Sequence, residues 1–229
     1  MNRPPRKKAK NEDFIYQHIS DAILEQRLSP GTKLTEESLA DIFGASRTVI
    51  RRVLTRLSYE NVVQIRPNRG AVIASPTIEQ ARDIFEARHI VEEAAIRTCV
   101  KNHTPAQLTR LRELLQAEKS CVQKGDRIGW IRLTGEFHIE IAKIAGNEVL
   151  VRFLKDLVAQ TSLIIALYGT SGNSLCADDD HDLIVGAISD NEEEKAVNLM
   201  LAHLKDCENS LAMHEMRETV DLKTIFSDI

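Results

Sequence analysis

Aromatic residues make up only 4% of the sequence, with a single tryptophan, and its four cysteines, Cys99, Cys121, Cys176 and Cys207, show no CxxC spacing. That scatter argues against a disulfide framework and against a cysteine zinc site, leaving buried or idle thiols. No run of about eighteen apolar residues is present, and the amino terminus lacks the apolar segment of a signal peptide, so a cytoplasmic protein with no membrane partner is expected. No dinucleotide-binding glycine motif and no alternating strand pattern occur after residue 75, and no organic cofactor is expected. What remains is a chain of 229 residues, 43% apolar, long enough for one large or two small cores.

Acids slightly outnumber bases, 34 Asp+Glu against 30 Lys+Arg for a net charge of −4, but the positive charge is unevenly placed. Residues 1–74 hold 13 Lys+Arg against 8 Asp+Glu, net +5; the remainder holds 17 against 26, net −9. A basic first part suits a polyanion, and an acidic second part would be repelled by one.

Within the basic part, Thr35 can cap a short helix with Glu36 and Glu37 at its positive end and Leu39, Ile42 and Phe43 on one face. Gly44 ends it, and Ser46 caps a second helix whose apolar residues Val49, Ile50, Val53, Leu54 and Leu57 recur at helical spacing. Arg47, Arg51, Arg52 and Arg56 remain for the other faces, where guanidinium groups can meet base edges and phosphates. Two β-type runs, Val62 to Ile65 and Ala71 to Ile73, flank a basic turn containing Arg69 and Gly70. Short helix, turn, longer helix and hairpin predict a winged helix-turn-helix over 12–74, begun by an amphipathic helix from Glu12 to Arg27 and preceded by a mobile basic arm, 1–11.

Ser75-Pro76-Thr77 reads as a linker, 75–77. Helices are then expected at Ile78 to Asn102, Pro105 to Lys124, Arg127 to Ala145, Glu148 to Tyr168, Ala177 to Ser189 and Glu192 to Glu215, punctuated by Thr104-Pro105, Gly125-Asp126 and Gly146-Asn147. The fold class is therefore mostly α: an N-terminal winged helix-turn-helix plus a C-terminal all-α antiparallel bundle of six helices over 78–215, followed by a tail, 216–229. His138, His181 and His203 fall on three of these helices. Imidazoles converging in a bundle can hold zinc or a similar ion, and the same residues can instead cap helices, hydrogen-bond or face water.

The run Ser46-Arg47-Thr48-Val49-Ile50-Arg51-Arg52-Val53-Leu54-Thr55-Arg56-Leu57 with its glycine-bearing wing resembles the GntR family of bacterial transcription regulators, although Val49 stands where the family usually has proline. The helical half resembles the FCD ligand-binding domain of the FadR branch, through Arg88 and Glu92 in EARHIVE, the stretch Phe137 to Asn147, and His181 and His203. The resemblance implies DNA contacts from Ser46, Arg47, Thr48, Arg51, Arg69 and Gly70. It also implies a divalent metal, zinc or nickel, on His138, His181 and His203. The family's carboxylate four residues before the first histidine is here Thr134, a weak ligand on the same helical face. Arg88 is the candidate for an effector, since a guanidinium matches a small organic acid bidentately; its alternative is an intrahelical pair with Glu92. The expected function is a transcription regulator, a repressor rather than an enzyme, binding a palindromic double-stranded DNA operator as a homodimer and responding to a small-molecule effector. A three-histidine metal-dependent hydrolase and an architectural DNA-binding protein without an effector are the alternatives.

Overall fold

A computed structural model describes residues 11–25, 27–66, 70–168, 180–211 and 222–226, which fall into two compact units. The basic arm, the tip of the wing including Arg69, and the segment 169–179 with Cys176 lie outside the described residues.

In the first unit, α1 (Glu12–Leu24) starts where the Asn11 side chain accepts the Phe14 N–H, and it buries Ile15, Ile19, Ala22 and Ile23 on one stripe. Next come β1 (Lys33–Leu34), α2 (Glu36–Phe43), α3 (Arg47–Tyr59), β2 (Val63–Arg66) and β3 (Gly70–Ile73). Thr35 and Ser46 cap α2 and α3 through their side-chain oxygens, and Gly44 adopts the left-handed conformation between them. Leu39, Phe43, Ile50, Val53 and Leu57 close over Ile15 and Ile19 as the core.

The three strands form an antiparallel sheet in the order β1-β3-β2, with Val63 opposite Ile73, Arg66 opposite Gly70 and Leu34 opposite Ala71. Gly70 has φ +80°, and a Cβ there would lie 2.3 Å from the Leu34 carbonyl oxygen. Only glycine lets β1 approach the wing this closely. A helical turn, α10 (Leu222–Ile225), also joins this unit: Phe226 packs 5.3 Å from the Phe43 ring, and Arg27 Nη1 donates to the Ile225 carbonyl at 2.7 Å.

The second unit contains α4 (Ile78–Asn102), α5 (Pro105–Lys124), α6 (Arg127–Ala145), α7 (Glu148–Tyr168), α8 (Asp180–Ser189) and α9 (Glu193–Asn209). The first four have the bounds expected from their caps and glycine stops. The helix expected up to Glu215 ends instead at Asn209, where the Ser210 hydroxyl donates to the Cys207 carbonyl at 2.7 Å and satisfies one of the last free carbonyls. Residues 212–215 and the expected start of α8 at Ala177 lie outside the described residues.

Helix α6 lies at the centre, packed against α4, α5 and α7, while α9 packs on α4 and α8. Ile96, Leu111, Phe137, Ile141, Ile184, Met200 and Leu204 form the main core. Each such side chain, fully buried, contributes roughly 1.5–3 kcal/mol. At Gly135 an added Cβ would meet a Val158 side-chain methyl at 2.9 Å, so the Val158 side chain of α7 packs against the bare backbone of α6 there. Thr104 and Gln107 form a reciprocal capping box with Pro105 in the first turn of α5. Thr104→Ala is therefore expected to lower the stability of this unit by about 1 kcal/mol, read as the urea midpoint followed by the fluorescence of Trp130. An unchanged midpoint would show that α5 does not depend on its cap.

Candidate metal centre and nucleic-acid interface

Three core positions of the helical unit carry imidazoles rather than apolar side chains. His138 follows the fully buried Phe137 on α6, His181 is the second residue of α8, and His203 lies between Met200 and Leu204 on the inner face of α9. All three are buried, and one nitrogen from each falls within 4.8 Å of the other two. Phe137 stacks on the His181 ring at 4.1 Å and helps fix its plane.

Each Nδ1 is turned toward a carboxylate. His138 Nδ1 lies 2.5 Å from Glu92 Oε2, His181 Nδ1 2.9 Å from Glu118 Oε2, and His203 Nδ1 3.4 Å from Asp180 Oδ2. A carboxylate only accepts, so these contacts select the Nδ1–H tautomer and direct the Nε2 lone pairs inward. The Nε2 atoms of His181 and His203 stand 3.2 Å apart. Two such lone pairs repel unless a cation, proton or metal, lies between them.

Burial is the largest influence on His138 and pushes it down to about 3, against the attraction of Glu92. His203 behaves oppositely: burial would lower it, but the negative charge of an ionised Cys207 and the hydrogen bond to Asp180 outweigh burial and raise it to about 9. Burial likewise opposes the charge on Glu92, yet Arg88 and His138 hold its carboxyl down to about 2. Glu92 is thereby held as a carboxylate and His138 as a neutral imidazole, the forms in which each can back or form a metal bond.

Arg88 is 4% exposed and lies behind Glu92. Its Nε donates to Glu92 Oε1 at 2.6 Å and its Nη1 to Thr161 Oγ1 at 3.0 Å. Nη2 lies 2.6 Å from the same Oε1 as an ion pair, and its N–H groups are buried without an aligned hydrogen bond. The intrahelical pair with Glu92 therefore exists, though buried rather than on the surface. Thr134 donates its hydroxyl to Glu118 Oε1 at 2.5 Å, so a carboxylate from α5 stands beside the position where the chain has threonine.

In the other unit, Ser46, Arg47, Thr48 and Arg51 are all exposed at the amino-terminal end of α3. Arg51 forms a two-pronged pair with Glu36, both bonds 2.8 Å, and Arg47 lies 3.1 Å from Glu37. The Arg51 guanidinium holds the Glu36 carboxyl below its usual range. A groove of about 670 Å³ between α3 and the wing is lined by Arg47, Arg51, Thr55, Ile65, Arg66 and Gly70, among others. Exposed ion pairs of this kind are worth about 0–1 kcal/mol and exchange readily for phosphate or guanine partners. Arg52 and Arg56 instead pair with Glu12 and Asp13 of α1, both at 3.0 Å.

Comparison with known proteins matches residues 11–73 to the family described as bacterial regulatory proteins, gntR family, and residues 83–206 to the FCD domain. The chain belongs to the GntR family. Among its relatives is the Nta operon transcriptional regulator of Aminobacter aminovorans, 24% identical over 77% of this chain and 82% of the relative. The transcriptional repressor RspR of Escherichia coli is 25% identical over 63% of this chain and 64% of its own length. The solved structure of E. coli McbR/YncC has the same fold, with a TM-score of 0.71 and 20% identity over 86% of this chain and 95% of the other. The chain is thus a DNA-binding transcription regulator of the GntR type with an FCD domain, and none of its described helices is long and apolar enough to cross a membrane.

In this GntR regulator, sequence reasoning brought out the three histidines and missed their partners. Glu118 and Asp180 reach the site from α5 and α8, and no sequence spacing links Glu118 to His181. Cys207, expected as a buried or idle thiol, is buried and lies 3.9 Å from His203 Nε2, a contact that its place four residues after His203 on the same helical face could have signalled.

Proposed function

We propose that this regulator is a repressor that binds a palindromic operator as a homodimer, carries zinc or nickel on His138, His181 and His203, and responds to a small organic acid. The observation that carries the metal reading is the set of three buried imidazoles, each held through Nδ1 by a carboxylate, with Nε2 inward. Neutral nitrogen donors backed by carboxylates suit zinc or nickel and give a poor site for magnesium or calcium. Such an ion would supply a Lewis-acid centre to which a carboxylate can bind. Arg88 fixes Glu92, which fixes His138, and its remaining Nη2 donors suit the same anion.

Ser46, Arg47, Thr48, Arg51, Arg69 and Gly70 are proposed to contact DNA. The exposed end of α3 supports this, as do the groove beside the wing and the net positive charge of residues 1–74. A homodimer fits a two-fold operator, and an effector shifts DNA affinity only by its differential affinity for two placements of the DNA-reading heads. The hydrolase alternative is disfavoured because Glu92, Glu118 and Asp180, the natural general bases, are each engaged with an imidazole Nδ1.

Metal analysis of protein purified without chelator or a histidine tag tests the reading. About one equivalent per chain is expected, lost in His138→Ala. Protein that stays metal-free after incubation with zinc or nickel would reject the metal and leave an organic effector held by Arg88.

A further inference from the structure

The carboxylates of Glu92 and Glu118 each divide their two oxygens between an imidazole and a second donor. Glu92 Oε2 faces His138, and its Oε1 accepts from Arg88 Nε at 2.6 Å. Glu118 repeats the arrangement with a neutral donor: Oε2 lies 2.9 Å from His181 Nδ1, and Oε1 accepts from the Thr134 hydroxyl at 2.5 Å. Thr134 is on α6, Glu118 on α5 and His181 on α8, so one line of hydrogen bonds joins three helices.

The hydroxyl matters because Glu118 has a freedom that Glu92 lacks. The Glu92 side chain is 2% exposed and paired with a guanidinium. That of Glu118 is 11% exposed, and among the described residues its hydrogen bonds run to Thr134 and His181. Fixing a glutamate in one rotamer costs entropy, and water is within reach of this one. With Oε1 held by Thr134, Oε2 stays on His181 Nδ1, selects the Nδ1–H tautomer and leaves Nε2 free for a metal. A carboxylate at position 134 would instead stand against Oε1 as a second anion.

We propose that Thr134 is a positioning residue of the metal centre: it acts through Glu118 to orient His181 and does not itself bind the ion. This rests on the metal-binding reading above. The protein then offers the ion three neutral nitrogens, and the rest of the coordination sphere is left to water or to the effector.

Two measurements on the full-length protein test this. The first is zinc affinity, by competition with a chromophoric chelator, in the wild type, Thr134→Val, Thr134→Ser, Glu118→Ala and the Thr134→Val/Glu118→Ala double variant. Loss of the hydroxyl in Thr134→Val is expected to weaken zinc about tenfold, the lower end for groups that orient a ligand. Thr134→Ser keeps the hydroxyl and is expected to bind as the wild type does. The double variant is expected to be no weaker than Glu118→Ala, because alanine has already removed what Thr134 holds. Thr134→Ala is made alongside, so that a clash of the valine methyl with Glu118 is not mistaken for the missing hydroxyl.

The second measurement is the pair of ring ¹⁵N shifts of His181 in metal-free protein, assigned by their loss in His181→Gln. Nδ1–H is expected in the wild type and Thr134→Ser, with Nε2–H gaining population in Thr134→Val. A Thr134→Val protein that binds zinc as tightly as the wild type and keeps Nδ1–H overturns the positioning role. A zinc loss that adds in full to that of Glu118→Ala also overturns it and makes Thr134 a ligand. Wild-type protein that takes no zinc rejects the metal reading, and the tautomer comparison then decides by itself whether Thr134 orients His181.

Discussion

Replacing Glu92 by alanine is expected to destabilise the helical unit by about 3–5 kcal/mol, the cost of breaking a buried ion pair from one side. Glu92 is 2% exposed and joins two groups of the site: it accepts from Arg88 Nε at 2.6 Å and lies 2.5 Å from His138 Nδ1. Without it, the Arg88 guanidinium stays buried with only the Thr161 hydroxyl as partner. His138 also loses the acceptor that sets its tautomer. Glu92→Gln separates the two consequences. Glutamine keeps the volume and an acceptor for Arg88, so it should unfold nearer the wild-type midpoint. As a neutral group it no longer secures the Nδ1–H tautomer, and metal affinity is expected to fall about 10–100-fold. Urea unfolding followed through Trp130, the single tryptophan and a residue of α6, reads the first effect, and metal titration reads the second. A Glu92→Ala protein as stable as wild type would mean that Arg88 escapes to solvent, and the buried pair would then not organise the site.

Arg51→Ala is expected to weaken binding to a selected operator duplex by about 1–3 kcal/mol and to relax discrimination at one base pair. The expectation rests on exposure and geometry: Arg51 is at the open end of α3, and Glu36 already holds its guanidinium in a fork that a guanine edge can accept instead. Arg51→Lys should not restore the discrimination, because an ammonium cannot bond two acceptors in one plane. If both variants lose affinity equally on every sequence, with the salt slope reduced by about one, the residue contacts phosphate. Unchanged affinity and preference would remove Arg51 from the interface altogether.

How far these sites were legible follows from the distance over which each signal acts. The ends of α4 to α7 were readable because Thr77, Thr104-Pro105, Gly125 and Gly146 act on backbone groups within one turn. β1 was not readable: Lys33–Leu34 has no strand signature of its own and exists through its register with Val72 and Ala71. The same holds for α10, whose single turn gains definition from Phe226 packing on Phe43.

The sequence by itself determined the helical content, the order helix, helix, hairpin that marks the DNA-reading unit, and three histidines on three different helices, because caps, glycine stops and apolar periodicity are local. Only the tertiary structure decided which carboxylate faces each imidazole. Glu92, Glu118 and Asp180 meet His138, His181 and His203 because α4, α5, α6, α8 and α9 pack side by side. It also decided that Arg88 lies inside rather than at the surface, and that Cys207 Sγ lies 3.9 Å from His203 Nε2. Those facts depend on which helices touch, and helix contact is set by the summed burial of faces distant in sequence, which no local spacing encodes.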